Sequence, residues 1–368
     1  MDTKTGIATI GAGVRLGPLY SKLWAAGQYL IPAGTCPSVG IGGIALGGGL
    51  GMVGRKYGIL TDSIVGMTLI SAKGAILKVS AKSNSELFWA LRGAGGGSFG
   101  LVTEFQIQAY KAPPQITTMV YTFPLKSYQA VIEGYGNWGK SIPEEIFGAM
   151  SVRNSGIELR LNYLGSKSQA QKIVKSLFAK TGSPATTDGK EGSWYQAATK
   201  WAGSGSLENP NLNAHRYHRG GSLLYRRTMS RMEVDTVYKY LSNLPKGASS
   251  AYLIIDIWGG KIDRPSSAAA FDNHRGVYYG FDFGITWKDS SNTPGVNCDE
   301  CLFWSASFRK DLYNLYGGPL EAYQNYIERD LPKSLEAYYG SSLPHLKQVK
   351  KMFDPNNVFS FPQSIPLP

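Results

Sequence analysis

The chain has 368 residues, a formal net charge of +12 and 43% hydrophobic residues, which is enough material for one large or two medium domains with packed cores. With 12% aromatic and 17% charged residues, the composition excludes intrinsic disorder. No run of about 18 apolar residues is present that would predict a membrane span, and three cysteines are too few for a disulfide framework.

The first part of the chain is predicted to alternate short strands and helices. Apolar runs and alternating patterns predict strands at GIATIGAGV (6–14), ILKVS (76–80) and FGLVTEFQIQAY (99–110). Helices are predicted at PLYSKLWAAG (18–27) and NSELFWALRG (84–93). Asn84 or Ser85 would cap the second helix, and Gly93 would end it.

Between these elements lies a glycine-rich stretch, GTCPSVGIGGIALGGGLG, which holds eight glycines and Cys36 within residues 34–51. Glycine lets the backbone approach a flat or charged ligand closely, and backbone N–H groups can then bind phosphate or carbonyl oxygens. The spacing matches neither a dinucleotide-binding fingerprint nor a P-loop. The alternative is a structural turn in which Cys36 is an inert core residue.

The paired prolines of KAPPQ, residues 111–115, predict a linker. Beyond it, strands are predicted at 116–123, 146–153, 157–164, 251–258 and 277–287. Helices are predicted at 168–180 and around 232–241. Strand pairs followed by helices favour an antiparallel sheet covered on one side, an α+β arrangement.

The densest basic run, HRYHRGGSLLYRR at 215–227, stands beside no recognisable nucleic-acid-binding module. It is therefore predicted to be a solvated basic face, and no nucleic-acid partner is expected. Cys298 and Cys301 form a CDEC motif, which can be a redox pair or half of a zinc site. Because the four histidines are scattered, a local disulfide or two free thiols is predicted rather than a metal site.

The glycine-rich stretch continues into GMVGRKYGILTDSI, and together they resemble the flavin-binding segment of the berberine-bridge-enzyme-like FAD-linked oxidases, in the vanillyl-alcohol-oxidase superfamily. Three more blocks follow in the family's order: NSELFWALRGAGGGSFGLVTEF, YQNY and YYGSSLPHLKQVKKMFDPNNVFSFPQSI. The resemblance implies an α+β fold with a partial PCMH-type FAD-binding domain at 1–112, completed by 345–368. Residues 113–344 would form a substrate domain whose antiparallel sheet is covered by helices.

The resemblance also implies where FAD is held. The cysteine at the position of Cys36 forms a thioether to the flavin ring in that family, so the same bond is expected here. Asn356 is expected to turn the backbone near the flavin edge. Other positions are expected near the cofactor, mostly through backbone groups: Ser38, Val39, Gly40, Gly42, Gly43, Gly47, Ser98, Gly100 and Val102.

In YQNY, Tyr326 matches the position of the proton acceptor in many family members. Tyr323 and Asp282 are further catalytic candidates. A tyrosine with an ordinary pKa near 10 is a poor base, so a nearby cation or hydrogen bonds to the phenolate would be required. The structural alternative is that Tyr326 only packs beneath the flavin domain.

The implied reaction is oxidation of an alcohol, a sugar hemiacetal or a similar small molecule by hydride transfer to flavin N5, with O2 as the final acceptor. The alternative is a degenerate relative that binds a ligand, or no flavin, and catalyses nothing. The sequence itself indicates no compartment and no oligomeric state; the resemblance favours an extracellular location.

The family places a further subdomain before the position of Met1. That subdomain holds a pyrophosphate-binding loop and a histidine that forms a second covalent bond to the flavin. Residues 1–33 match neither element. A fragment, an incomplete gene model and a short paralogue are all left open, and at most one covalent flavin bond is expected if the chain is complete.

Overall fold

Two antiparallel sheets organise the chain in this computed structural model, which describes residues 1–203, 206–208, 217–264, 268–272, 274–287 and 298–368. In the described part, no helix is both long and apolar enough to cross a membrane. The strands are β1 Ile7–Gly11, β2 Tyr29–Leu30, β3 Ile64–Ile70, β4 Ile76–Ser80, β5 Leu101–Gln108, β6 Tyr110–Lys111, β7 Ile116–Phe123, β8 Ile146–Arg153, β9 Gly156–Tyr163, β10 Thr186–Gly192, β11 Tyr217–Tyr225, β12 Ala248–Ile257 and β13 Tyr279–Trp287. The helices are α1 Leu16–Ala25, α2 Ile41–Gly47, α3 Gly54–Tyr57, α4 Ser85–Leu91, α5 Tyr128–Gly139, α6 Lys167–Thr181, α7 Trp194–Trp201, α8 Arg231–Ser242, α9 Asp299–Tyr316, α10 Ser334–Tyr339 and α11 Leu343–Phe353.

The first sheet has four antiparallel strands in the order β1-β5-β3-β4. In its inner strand β5, Phe105 and Ile107 are buried two residues apart, as the alternating pattern predicts. Val102 is buried three residues before Phe105, where the pairing with β3 shifts register. The predicted helices form as α1 and α4. Asn84 precedes α4 in a left-handed conformation and makes no side-chain cap; its amide instead donates to the Lys78 carbonyl over 3.0 Å.

The second sheet has seven antiparallel strands in the order β10-β7-β9-β8-β12-β13-β11. One face is apolar and packs against α5, α6, α8 and α9, with Leu253 and Phe281 at its centre. The opposite face carries Tyr252 and Asp282, and Ser222 lies directly across from Asp282 on β11. The predicted α+β arrangement is confirmed, and the polar face of this sheet turns towards the candidate site.

The basic run forms strand β11 at the edge of the second sheet, which the sequence analysis did not predict. Its arginines are ion-paired: Arg219 with Asp330, Arg226 with Glu321 at 2.7 Å and Arg227 with Glu233 at 2.7 Å. Arg226 and Arg227 are exposed, as the predicted solvated face requires, whereas Arg219 is part-buried. Folding also brings a carboxylate to each of the three, which the sequence analysis did not predict. His215 and Arg216 lie outside the described residues.

The C-terminal segment returns to the first sheet. Buried side chains from Ala322 to Ile365 share one hydrophobic core with β1 and β3–β5. After α11 the chain runs as an extended tail, and the backbone N–H of Ile365 donates to the Ser98 hydroxyl over 3.1 Å. Both ends of the chain therefore build the same core.

A buried ion pair fixes this tail. The Lys350 ammonium donates to Asp354 Oδ2 at 2.7 Å, to the Ser98 carbonyl at 2.7 Å and to the Phe359 carbonyl at 2.6 Å. The carboxylate also accepts from the backbone of Val358 and Phe359. Both charged side chains are fully buried, so each charge depends on the other and on these bonds.

We expect Asp354→Ala to destabilise the fold by about 3–5 kcal/mol, because it leaves the Lys350 ammonium buried without a counter-charge. Urea denaturation monitored by circular dichroism measures this change. Lys351→Ala, at the exposed neighbouring lysine, is the matched control and should change stability by less than about 0.5 kcal/mol. Equal losses for the two variants would contradict the role assigned to the pair.

Candidate active site

A cavity of about 650 Å³ opens where the glycine-rich stretch meets the YQNY segment. We call it the cysteine cavity. Cys36 and Tyr326 both contribute to its wall. Its full lining is Gly34, Thr35, Cys36, Val39, Gly40, Gly43, Ile44, Leu50, Gly96, Tyr323, Gln324, Asn325, Tyr326 and Ile327.

The glycines of this stretch serve two different purposes. Gly40 and Gly43 line the cavity, and a methyl group added at either would meet no atom within 4 Å. Gly47 is approached instead by the Asn325 side chain, and a methyl group at Gly48 would lie 2.7 Å from the Tyr323 ring. Two glycines therefore open towards a ligand, while others admit the YQNY side chains.

Tyr323 ties the two segments together. The Gly49 N–H donates to its hydroxyl oxygen over 2.6 Å, and the Asn325 amide donates to the same oxygen over 2.9 Å. The amide of Asn325 also donates to the Ile44 carbonyl over 3.0 Å. Because its hydroxyl oxygen accepts from one backbone N–H and one side-chain amide, Tyr323 positions the cavity wall, and a catalytic role for it stays a prediction.

Cys36 carries the free thiol of the described residues and is accessible from the cavity. The surrounding protein nevertheless desolvates the sulfur, which raises the pKa of the Cys36 thiol; the Thr35 hydrogen bond opposes this rise and the nearby Asp282 adds to it. The thiol is therefore neutral at neutral pH, and its reaction with an electrophile is favoured by higher pH.

A second cavity of about 530 Å³ lies beside the first, against the polar face of the seven-stranded sheet. We call it the sheet cavity. His218, Tyr252 and Asp282 project into it from strands β11, β12 and β13. Asn325, Tyr326 and Ile327 line both cavities, so Tyr326 stands where the two meet.

Two carboxyl groups lie on the polar face of the sheet: Asp256 is buried and Asp282 is part-buried. Burial raises the pKa of Asp282 to about 7, although a hydrogen bond from Tyr252 at 3.3 Å opposes the rise. Burial, and to a lesser extent the charge of Asp282, raises the pKa of Asp256 to about 8. A carboxyl with a pKa near 7 exchanges protons readily at neutral pH, as a general base requires.

The surroundings of Tyr326 raise its pKa, whereas its predicted role as a base would require a lowered pKa. Burial raises its pKa well above the ordinary value, and Asp282, Asp256, Tyr323 and Cys36 all raise it further. Among the described residues, none of the causes of this shift is a cation. Tyr326 lies in the wall of both cavities, and its role as the base stays a prediction.

Several predicted cofactor contacts lie away from the cysteine cavity. Gly42 packs against the Ala12 carbonyl and Gly100 against Leu69, and the Ser38 carbonyl accepts from Arg15 at 2.5 Å. Val102 is buried in β5, Ser98 bonds the C-terminal tail, and Asn356 lies in an exposed turn. Their roles towards a cofactor stay predictions; Cys36, Val39, Gly40 and Gly43 are the predicted contacts that line the cavity.

Tyr252, Asp256 and His218 were not singled out from the sequence. The sequence does contain an indication for Asp256, because its carboxyl group lies within the apolar strand pattern AYLIIDIW. Tyr252 and Asp256 lie four positions apart in this strand. The two-residue period of a strand therefore places both on one face. The signal for His218 was absent, because β11 itself was not predicted.

Known proteins are similar to this chain in sequence. A family model described as "FAD binding domain" matches residues 1–80, and one described as "Berberine and berberine like" matches residues 322–366. A chitooligosaccharide oxidase of Gibberella zeae is 32% identical over 374 residues, which cover 98% of this chain and 75% of the relative. The chain belongs to the berberine-bridge-enzyme-like family of FAD-linked oxidoreductases.

Solved structures of family members agree with the fold. BBE-like 1 of Physcomitrella patens superposes with a TM-score of 0.90 at 34% identity, covering 100% of this chain and 79% of that protein. A glucooligosaccharide oxidase of Acremonium strictum, described with a 6-S-cysteinyl, 8α-N1-histidyl FAD, superposes with a TM-score of 0.87 at 25% identity, covering 100% and 79%. A non-catalytic relative is not favoured, and the protein is an FAD-linked oxidoreductase.

The residues of the cysteine cavity fit the ring end of FAD. Its volume lies within the range of cofactor and ligand sites. Gly40 and Gly43 leave open space for a flat ring, and the Cys36 thiol stands in the same wall. In the described residues, no group of three potential metal ligands comes together, and Cys298 and Cys301 are joined as a disulfide.

We expect Asp256→Asn to stabilise the fold at alkaline pH. Native Asp256, with its pKa near 8, keeps a proton that the unfolded chain releases near pH 4. Its contribution to stability is therefore complete below about pH 4 and is lost as the pH rises to about 8. Asparagine cannot ionise, so the variant avoids a loss of the order of a few kcal/mol.

Urea unfolding of both proteins at acidic and alkaline pH measures the difference. Asp235→Asn on the exposed side of α8 is the matched control, since its carboxylate pairs with Arg231 at the surface. An Asp256→Asn curve that follows the wild-type pH dependence would show that Asp256 is ionised in the native state.

Proposed function

We propose that this protein oxidises a hydroxyl group of an oligosaccharide, at the hemiacetal carbon, with FAD as the hydride acceptor and O2 as the final electron acceptor. The observation that carries the proposal is the position of Tyr326. It separates a cavity that carries Cys36 from one that carries Asp282. A substrate hydroxyl beside Tyr326 would therefore face both a cofactor site and a proton acceptor.

The sheet cavity has the character of a sugar site. Tyr326 and Phe361 offer ring faces on which a sugar can stack. Arg219 and Arg329 offer N–H donors at the same cavity. The chitooligosaccharide and glucooligosaccharide oxidases among the relatives support this substrate class.

We assign the proton of the substrate hydroxyl to Asp282. Burial places the pKa of this carboxyl at about 7, so its ionised form is available at neutral pH and can hold a proton once it has accepted one. The Tyr326 hydroxyl would hydrogen-bond the substrate oxygen and orient it. This division of roles replaces the prediction that Tyr326 itself is the base.

FAD, when bound, supplies the acceptor for the hydride of the substrate carbon. Gly40, Gly43 and Val39 would lie against its ring, and Cys36 would be joined to the ring by a thioether. This bond would take the place of the thiol S–H and of a ring C–H, and O2 would take up the two electrons and two protons released. The covalent bond would keep the ring beside Tyr326.

The two sheets suggest a division of labour. We propose that residues 1–112 and the returning C-terminal segment hold FAD and that the seven-stranded sheet holds the substrate. We propose that this returning segment includes residues from Ala322 onward, ahead of the predicted start at 345, because the Ala322 side chain packs in the same core as the first sheet. The Cys298–Cys301 disulfide favours an oxidising, extracellular compartment.

Cys36→Ala should abolish flavin attachment that survives acid precipitation. The variant loses the sulfur that would form the thioether, while the open space at Gly40 and Gly43 is kept. Absorbance of the acid-precipitated pellet and the mass of the intact chain measure the bond. Cys298→Ala/Cys301→Ala, which removes the distant disulfide, is the control and should keep the attachment; a Cys36→Ala chain that still carries flavin mass would disprove the assignment.

Asp282→Asn should slow flavin reduction by sugar at least about 100-fold, because an amide cannot accept the proton. In the wild type the reduction rate should rise with pH through about 7, as Asp282 becomes ionised, and the variant should lack this step. Stopped-flow absorbance of the flavin measures both. Asp235→Asn serves again as a control with unchanged kinetics; an unaltered pH profile in Asp282→Asn would exclude Asp282 as the acceptor.

A further inference from the structure

Three side chains form a hydrogen-bonded chain from Asp282 towards the surface. The Tyr252 hydroxyl donates to Asp282 Oδ1 over 3.3 Å and lies 3.1 Å from Nε2 of His218. The rings of His218 and Tyr252 are stacked, with planes 9° apart. His218 is exposed, so the chain connects the enclosed carboxyl with solvent.

We propose that Tyr252 and His218 form a proton relay that carries the substrate proton from Asp282 to solvent between turnovers. The proposal rests on the proposed function, since the proton comes from the oxidised hydroxyl. Neither Tyr252 nor His218 would take part in hydride transfer. Their task would be to return Asp282 to its ionised form.

The steps balance without any change of oxidation state in the relay. Once Asp282 has accepted the proton, its O–H donates to the Tyr252 oxygen. The Tyr252 proton then moves to the lone pair on Nε2 of His218, and the imidazolium releases its Nδ1 proton to water or a buffer base. One proton enters at Asp282 and one leaves at His218, while both electrons stay with the hydride.

Strand β13 makes room for this chain at one position. A methyl group added at Gly284 would collide with Nε2 of His218 and would lie 2.9 Å from the Tyr252 hydroxyl. Glycine is otherwise disfavoured inside strands and often marks a close approach of other groups. The absence of a side chain at Gly284 therefore lets the histidine and tyrosine meet above the strand.

The charges around the relay favour release of the proton. Although His218 is exposed as a whole, partial desolvation of its ring and the charge of Arg219 lower its pKa. The imidazole is therefore neutral at neutral pH and gives up a proton quickly. The Arg153 guanidinium lies 5.2 Å from the centre of the Tyr252 ring. The other titratable groups that face Asp282 are Asp256, Tyr326 and Cys36.

His218→Ala in the FAD-loaded enzyme should separate the first turnover from later ones. At low buffer concentration, steady-state turnover should fall at least about tenfold, while the first reduction of flavin and the KM stay unchanged, because one proton can remain on Asp282. Added imidazole should restore turnover and saturate. His345→Ala, a surface histidine bonded to Glu86, should neither slow turnover nor respond to imidazole.

Tyr252→Phe should lower steady-state turnover by the same factor. Imidazole should not restore it, because the hydroxyl that links Asp282 to His218 is missing. If His218→Ala slows the first reduction or raises KM in proportion to turnover, His218 contacts the substrate and the relay is wrong. Absence of rescue in His218→Ala would also overturn it.

Nitrogen NMR of the histidine rings tests the chain independently of any substrate. Tyr252→Phe should shift the Nε2 signal of His218 and leave that of His345 in place. An unmoved His218 signal would overturn the relay. This measurement holds even if no sugar is oxidised, so a failure of the relay is distinguishable from a failure of the proposed oxidase function.

Discussion

The close contact between the glycine-rich backbone and the Tyr323 side chain is the constraint on which the site depends. The hydroxyl of Tyr323 accepts from Gly49 and Asn325, residues on the two facing segments. This contact needs glycine at 47 and 48, because a side chain there would meet Asn325 or Tyr323. The contact closes one side of the cysteine cavity and places Tyr326 at its border.

The two faces of the seven-stranded sheet have different roles: one face builds a hydrophobic core, and the other lines a cavity. Its apolar face packs against four helices and accounts for one of the two large cores. Its polar face has no such cover at Asp282 and Tyr252, which lie instead in the wall of a cavity. Because the strand period alternates the faces, one sequence of residues can build a core and a site at once.

The same enclosure that forms the site sets the protonation of its groups. Desolvation raises the pKa values of Asp282, Asp256, Cys36 and Tyr326 together, since each neutral form is favoured in a medium of low polarity. Asp282 is brought close to neutrality, where a carboxyl exchanges protons easily, while Tyr326 is moved further from it. A proton that Asp282 accepts must leave this enclosed site. The Tyr252 hydroxyl donates a hydrogen bond directly to the Asp282 carboxylate.

Local pattern alone determined much of the fold and the identity of the family. Alternating residues predicted strands β7, β8 and β9, and the glycines around Cys36 indicated a site for a flat cofactor. Other elements needed tertiary contacts: α5 contains three glycines that disfavour a helix, yet each admits a close neighbour, such as Tyr279 at Gly136. Tertiary contacts decide which glycines face the cavity, which tyrosine supports the cavity wall and which carboxyl is buried. These contacts join residues as far as 281 positions apart, and no local pattern records them.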